Sequence, residues 1–166
     1  RNYENANLVK GFKMGFFDGY NVSTSGMSAQ RTRINVVSAN IANAKTTHTL
    51  EGGPYKKQQV VFQDVLLANS KKTNSNEVET TNNKNSDISL RGVGVKSIVQ
   101  SDAKPIMRYE PAHPDADEKG YVAYPDINPV VEMVDLIEAM RSYESNVASF
   151  NTHKNIDSKT LEILNV

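Results

Sequence analysis

The side chains that most often bind metals are sparse in this sequence. His48, His113 and His153 are its three histidines, and none has another histidine at the H-x-x-x-H spacing of a helical zinc site. The chain contains no cysteine, which excludes thiolate zinc sites, disulfides and a thiol nucleophile. We therefore predict no metal centre.

Two stretches resemble binding loops but lack parts of the required pattern. Gly92 and Gly94 are not followed by the third glycine or the helix of a dinucleotide site, so we interpret them as glycines within a strand. Asp115 and Gly120 stand at the first and sixth positions of a calcium-type loop, but Lys119 occupies a ligand position and no helix precedes the loop. We expect an exposed acidic turn there.

The carboxylates of the last helical stretch do not form a catalytic pair. Glu138 and Glu144 are six residues apart, so on one helix they do not converge on a common site. No stretch places a nucleophile beside a general base. The sequence therefore predicts a protein that is not an enzyme and has no cofactor and no small-molecule substrate.

Composition excludes further classes of function. Among 166 residues, Lys+Arg and Asp+Glu both number 19, so the formal charge is zero, and this argues against a nucleic-acid partner. Residues 1–13 are polar and unpatterned, and Met14 follows them inside the chain. We expect residues 1–13 to be a disordered lead-in or foreign to the natural protein, and we expect no cleaved secretory signal.

The C-terminal part, residues 128–166, is predicted to be one long helix. Asn128 is a favourable N-cap, Pro129 suits the first helical position, and neither proline nor glycine follows. Apolar residues then recur at three- and four-residue steps, which predicts one helix face in contact with another helix or subunit. These residues are Met133, Leu136, Ile137, Met140, Tyr143, Val147 and Phe150.

The N-terminal segment, residues 14–50, is predicted to be helical from about residue 21 to 43. Met27, Ile34, Val37 and Ile41 follow a 7-3-4 spacing typical of a coiled-coil seam. Gly26 destabilises the first turns of this helix by about 1 kcal/mol relative to alanine. This helix could be a core helix of a small domain, or half of a coiled coil with the C-terminal helix, and the shared spacing favours the second.

Residues 51–127 are predicted to form a small β-rich middle. Residues 55–62 and 88–99 carry the β-branched and aromatic residues of strands, and four prolines exclude a helix from most of residues 103–127. Residues 69–87 are almost entirely polar, so we expect a mobile loop. The predicted fold class is α+β, with long terminal helices pairing as a coiled-coil-like bundle around a β-rich middle domain.

Several motifs of this chain resemble those of the flagellar rod and hook protein family. One begins at Ser25 and continues through Asn40, Ile41, Ala42 and Asn43. A second, around His113, Pro114 and Asp115, is similar to one branch, the proximal rod proteins of the FlgC type. The similarity extends over nearly all of residues 14–166.

The resemblance implies a structural subunit of the bacterial flagellar basal body. Such a subunit would be exported by the flagellar type III apparatus without a cleaved signal peptide. It would then assemble helically, with other rod subunits and copies of itself, into the periplasm-spanning rod that transmits torque from motor to hook. The apolar residues of both predicted helices would form the subunit interface.

Two alternatives use the same residues differently. A monomeric binding module could recognise a ligand through its β-rich middle, while the helices complete its core. A C-terminal helix of about 35 residues argues against it, because most globular helices have three to four turns. A peptidoglycan hydrolase is a weaker alternative, since no pair of carboxylates is placed for acid–base work.

Overall fold

The computed structural model describes the backbone of residues 2–67 and 90–164, with side-chain environments from residue 19 to 67 and from 90 to 163. Within these residues the order is helix α1 (Asn2–Ala42), strands β1 (Gln58–Leu66), β2 (Arg91–Gln100), β3 (Ile106–Tyr109) and β4 (Tyr121–Tyr124), and helix α2 (Pro129–Leu164). Two long helices around small antiparallel sheets confirm the predicted α+β class. The polar loop predicted at 69–87 lies outside the described residues.

Helix α1 begins earlier than the sequence predicted. It starts at Asn2, so residues 2–13 continue the helix, where we had expected a disordered lead-in. The first proline of the chain is Pro54, and nothing before it removes a backbone donor from the helical ladder. Residues 2–13 lack apolar periodicity, so the sequence pattern did not reveal that the helix begins at Asn2.

The first ribbon packs against α1. β1 and β2 pair antiparallel from Gln58 opposite Gln100 to Leu66 opposite Arg91, with an irregularity between Val61 and Phe62. The ribbon approaches α1 where the Val93 amide donates to the Ser25 hydroxyl at 3.2 Å. The strand predicted at 55–62 thus begins at Gln58 and continues four residues beyond Phe62.

The second ribbon is a short hairpin that precedes α2. β3 and β4 pair antiparallel, with Ile106 opposite Tyr124 and Tyr109 opposite Tyr121. The rings of Tyr109 and Tyr121 meet edge to face with centroids 5.4 Å apart. On the opposite side of the pleat Val122 is fully buried, so one face of this ribbon contributes to the core.

Helix α2 begins as the sequence predicted. The Asn128 side-chain oxygen accepts the amide hydrogen of Val130 at 3.0 Å, and its carbonyl accepts that of Glu132 at 3.1 Å. These bonds satisfy two of the free donors of the first turn. No helix in the described part of the chain combines the length and apolar character needed to cross a membrane.

The core is made of small side chains. Within the described residues, the buried hydrophobic positions hold only alanine, valine and isoleucine. Several larger apolar side chains lie outside this core. The buried hydrophobic positions are Ala29, Val36, Val37, Ala44, Val122, Ile127 and Ala139.

Candidate functional site

The contact between α1 and α2 repeats every seven residues along both helices, which run antiparallel. A β-carbon added to Gly19 would lie 2.7 Å from the His153 ring, and one added to Gly26 would lie 2.5 Å from the side-chain oxygen of Asn146. A step of seven along α1 therefore matches a step of seven backwards along α2, as in an antiparallel coiled coil. The glycines provide the space that these two larger polar side chains occupy.

The next step of seven beyond Gly26 is Arg33, whose guanidinium lies 3.7 Å from Asp135 and 3.8 Å from Glu138 on α2. One further step places Asn40 opposite Glu132, where a buried polar cluster forms. Asn40 is 1% exposed, and its side-chain amide donates to the Gln58 carbonyl at 2.9 Å and to Glu132 Oε2 at 3.0 Å. Its oxygen accepts the Gln58 amide hydrogen at 2.9 Å and the Tyr55 hydroxyl at 3.2 Å. One side chain of α1 thereby joins α2 to the start of β1.

Glu132 is a buried carboxylate with partners from two other parts of the chain. It is 1% exposed, and the Lys57 ammonium lies 2.5 Å from its Oε1. A charge this deeply buried is tolerated because it is both paired and hydrogen-bonded. Burial, followed by the negative charge of Glu132, raises the pKa of Tyr55. We use "buried polar cluster" for Asn40, Tyr55, Lys57 and Glu132.

Aromatic and acidic side chains join the helices farther from the ribbons. The rings of Tyr20 and Phe150 meet edge to face with centroids 4.9 Å apart, and His153 lies beside Tyr20. A hydrogen bond to the Asp157 carboxylate, together with burial and the charge of that carboxylate, raises the pKa of Tyr20 to about 12.

An apolar stripe on α2 faces away from α1. Successive helical residues are about 100° apart, which places the stripe opposite Ala139, the fully buried alanine at the α1 contact. The exposed fractions of its side chains lie between 46% and 69%. We use "α2 stripe" for Val130, Met133, Val134, Ile137 and Met140.

The predicted interface residues divide into three groups. Of the residues predicted on α2, Met133, Ile137 and Met140 belong to the α2 stripe. The remaining four on that helix are half-buried along its flank: Leu136, Tyr143, Val147 and Phe150. On α1, Val37 is buried and three others are half-buried: Met27, Ile34 and Ile41. The intrachain contact therefore covers the predicted apolar face of α2 only in part and leaves the residues of the α2 stripe exposed.

The two motifs quoted for the resemblance come together in the fold. The Thr47 hydroxyl, just after the first motif, donates to Asp115 Oδ2 of the second at 2.7 Å. In the first motif, Asn43 closes the end of α1, because its side-chain amide donates to the Ala39 carbonyl at 2.9 Å. Ile41 is half-buried and Ala42 is exposed.

In the second motif the side chains stabilise the turn between β3 and β4. His113 is half-buried, Pro114 and Asp115 are exposed, and the Asp115 amide donates to the His113 ring at 3.1 Å. Asp117 Oδ1 accepts the amide hydrogens of Lys119 and Tyr121 at 2.9 and 2.8 Å. Its carboxylate thus holds the turn. Within the described residues, no three histidines or carboxylates are grouped as metal ligands.

Sequence reasoning missed the buried polar cluster. Neither Glu132 nor Lys57 was among the candidate site residues predicted from the sequence. The signal that could have found the cluster is the spacing: Glu132 heads a seven-residue series whose other members are Ala139, Asn146 and His153. In this chain that series of polar and small residues marks the helix contact.

Comparison with known proteins gives consistent results. The family model described as "Flagella basal body rod protein" matches residues 21–47, and "Flagellar basal body rod FlgEFG protein C-terminal" matches residues 118–163. The chain is 40% identical to the flagellar basal-body rod protein FlgC of Borreliella burgdorferi, over 91% of this chain and 99% of that protein.

Two further relatives carry the same name. The chain is 39% identical to FlgC of Bacillus subtilis, over 90% of this chain and 99% of the relative. It is 35% identical to FlgC of Salmonella typhimurium, over 90% of this chain and 98% of the relative. The similarity spans both helices and the ribbons between them. This chain belongs to the FlgC family of flagellar basal-body rod proteins.

Proposed function

We propose that this chain is a structural subunit of the bacterial flagellar basal-body rod, assembling with other rod subunits and with copies of itself. The observation that carries the proposal is identity of 35–40% to proteins named as flagellar basal-body rod proteins, over nearly their whole length. A chain that matches these relatives from end to end has the same elements available for assembly.

The α2 stripe is the surface that we assign to contact with neighbouring subunits. Its five side chains lie on successive turns of α2, and all are substantially exposed in the single chain. Contiguous exposed apolar side chains are typical of protein–protein interaction sites. Three of the five were predicted as interface residues from their spacing alone, and Val130 and Val134 extend that set.

We assign the half-buried flank of α2, and the half-buried Met27, Ile34 and Ile41 of α1, to the margins of the same proposed interface. Val37 is buried within the chain, so it is not available to a neighbouring subunit. Leu136, Tyr143 and Val147 border the α2 stripe, so a neighbouring helix seated on the stripe would reach them. The position of the chain within the rod follows from family membership alone. We propose the periplasm-spanning proximal part, reached by type III export without a cleaved signal peptide, with torque transmission as its role.

Deletion of the gene tests the proposed function. Cells without this chain should be non-motile and should yield basal bodies without a complete rod, and the chain should be found by mass spectrometry in basal bodies of complemented cells. Intact rods in the deletion strain, or the chain found only as a free monomer in complemented cells, would contradict the proposal and favour the binding module.

A further inference from the structure

We infer that the buried polar cluster selects the register in which α1 and α2 pair, out of several alignments that the rest of the helix contact would accept. The cluster lies at one end of a contact whose other layers repeat every seven residues. The inference concerns the folded chain alone and does not depend on the proposed function.

The rest of the contact distinguishes the registers only weakly. The Arg33 guanidinium lies 3.7 Å from Asp135 and 3.8 Å from Glu138, but partly exposed ion pairs such as these contribute little. A slip of seven residues along two helices with heptad spacing leaves the same faces in contact, so an apolar pattern hardly distinguishes the alignments. Some of the facing residues are also small: Gly19, Gly26 and Ala139 present no side chain, or only a methyl group, to a shifted partner. The strongest discrimination between registers should therefore come from polar groups that are buried in the contact.

The buried polar cluster is such a feature. Asn40 makes four hydrogen bonds in the observed register, two of them to both backbone groups of Gln58. A slip of seven residues in either direction moves Glu132 away from Asn40 and from Lys57. One slip brings Glu132 opposite Arg33, which could pair with its charge but cannot replace the bonds to Asn40 and Lys57. The other carries Glu132 past the end of α1 at Ala42. Either alignment breaks a buried, hydrogen-bonded ion pair, which is strongly disfavoured.

The register has a structural consequence for the exposed surface. Because Asn40 also bonds the first residue of β1, the cluster fixes α2 relative to both α1 and the first ribbon. A slip of seven residues would move the α2 stripe about 10 Å along α1. A single buried polar residue is a documented means of fixing coiled-coil register.

Engineered cysteine pairs can report the register, since the chain has no cysteine of its own. The hydroxyl oxygens of Ser23 and Ser149 are 3.4 Å apart, so Ser23→Cys with Ser149→Cys should form a disulfide in the observed register. A cysteine at position 142 or 156, seven residues to either side of 149, would face Ser23→Cys only after a slip of α2. We call these two combinations the slipped pairs. The rate of intramolecular disulfide formation is measured on dilute protein for each pair, in a mild oxidant.

In the parent sequence, we expect either slipped pair to form its disulfide at roughly a tenth of the rate of the observed pair or less. The main variant replaces the cluster by apolar residues: Asn40→Leu, Lys57→Met and Glu132→Met. It should retain its helical circular dichroism, because apolar replacement of a buried ion pair is often neutral or stabilising. The rate of at least one slipped pair should then rise several-fold, towards that of the observed pair.

Two further variants make the test decisive. Asn40→Ala with Glu132→Ala removes the cluster with good helix formers, in case the larger side chains do not fit, and should also raise a slipped rate. Glu144→Met adds a similar apolar side chain to α2 at an exposed position away from the α1 contact and should leave the slipped rates unchanged. Slipped rates as low as in the parent, in either cluster variant that remains helical, would overturn the inference. Unfolding of both variants would also overturn it, because the cluster would then be required for folding itself.

Discussion

Ile137→Asp tests whether the α2 stripe serves assembly or the stability of the chain. Ile137 is 52% exposed, so in the free chain the substitution removes few contacts. We expect the free energy of unfolding of the monomer to fall by about 1 kcal/mol or less, as for most surface substitutions.

The free-energy cost of Ile137→Asp should be larger in the assembled rod. Burying a whole isoleucine side chain contributes about 1.5–3 kcal/mol, so covering the exposed half of Ile137 would contribute about 1 kcal/mol. An aspartate at this position forfeits that contribution and adds several kcal/mol for placing a carboxylate in an apolar contact. A loss of about 3 kcal/mol weakens each contact roughly a hundredfold. Because the loss recurs at every copy, rods should fail to form.

The assay compares the purified chain with the cell. Thermal unfolding of the variant monomer should resemble that of the parent, whereas cells that export the variant normally should be non-motile and lack rods in isolated basal bodies. Ser145→Asp is the matched control, because it adds the same charge at an exposed position of α2 beyond the stripe. Rods and motility with Ile137→Asp would refute the reasoning, and so would a collapse in the stability of its monomer.

Two predictions concern the helix pair itself. Gly26→Ala should lower the free energy of unfolding despite the higher helix propensity of alanine, because the new methyl group meets the Asn146 side chain. Adding Asn146→Ala should recover the lost stability, and the coupling energy between the two changes should be about 1 kcal/mol in denaturant titrations. Additive effects of the two changes would contradict this contact. The pKa of Tyr20 is raised to about 12, so its bond to Asp157 should stabilise the fold fully below pH ~10 and lose that contribution as the pH rises towards 12. Tyr20→Phe should therefore remove the loss of stability over that window, and an unchanged pH profile in thermal unfolding would refute it.

The parts of the fold that sequence predicts are those decided by neighbouring residues. Asn128 and Pro129 define the start of α2 through local backbone chemistry, and the structure has that cap. The strands follow from β-branched residues between turn signals, with boundaries displaced by a few residues. The early start of α1 at Asn2 escaped prediction because helix formation there follows no apolar periodicity.

The choice of contact face could not be predicted from the spacing of apolar residues. Apolar periodicity identifies a face of α2 that avoids water, but it does not say whether the same chain or another one covers it. Within the chain, the contact uses Gly26, Asn146 and Glu132, whose types suggested weak helicity or solvent exposure. Burial of Glu132 depends on Lys57, which is distant in sequence, so only the tertiary fold brings the ion pair together.

Accessibility of the α2 stripe in monomer and rod tests the central claim most directly. Val134→Cys places a single thiol in the middle of the stripe, at a residue 60% exposed in the free chain. Reaction with a maleimide should be rapid in purified monomer and should be strongly slowed in basal bodies isolated from motile cells that carry the variant, with full labelling after denaturation. Equal labelling of monomer and assembled rod would contradict the assignment of the α2 stripe as the subunit interface.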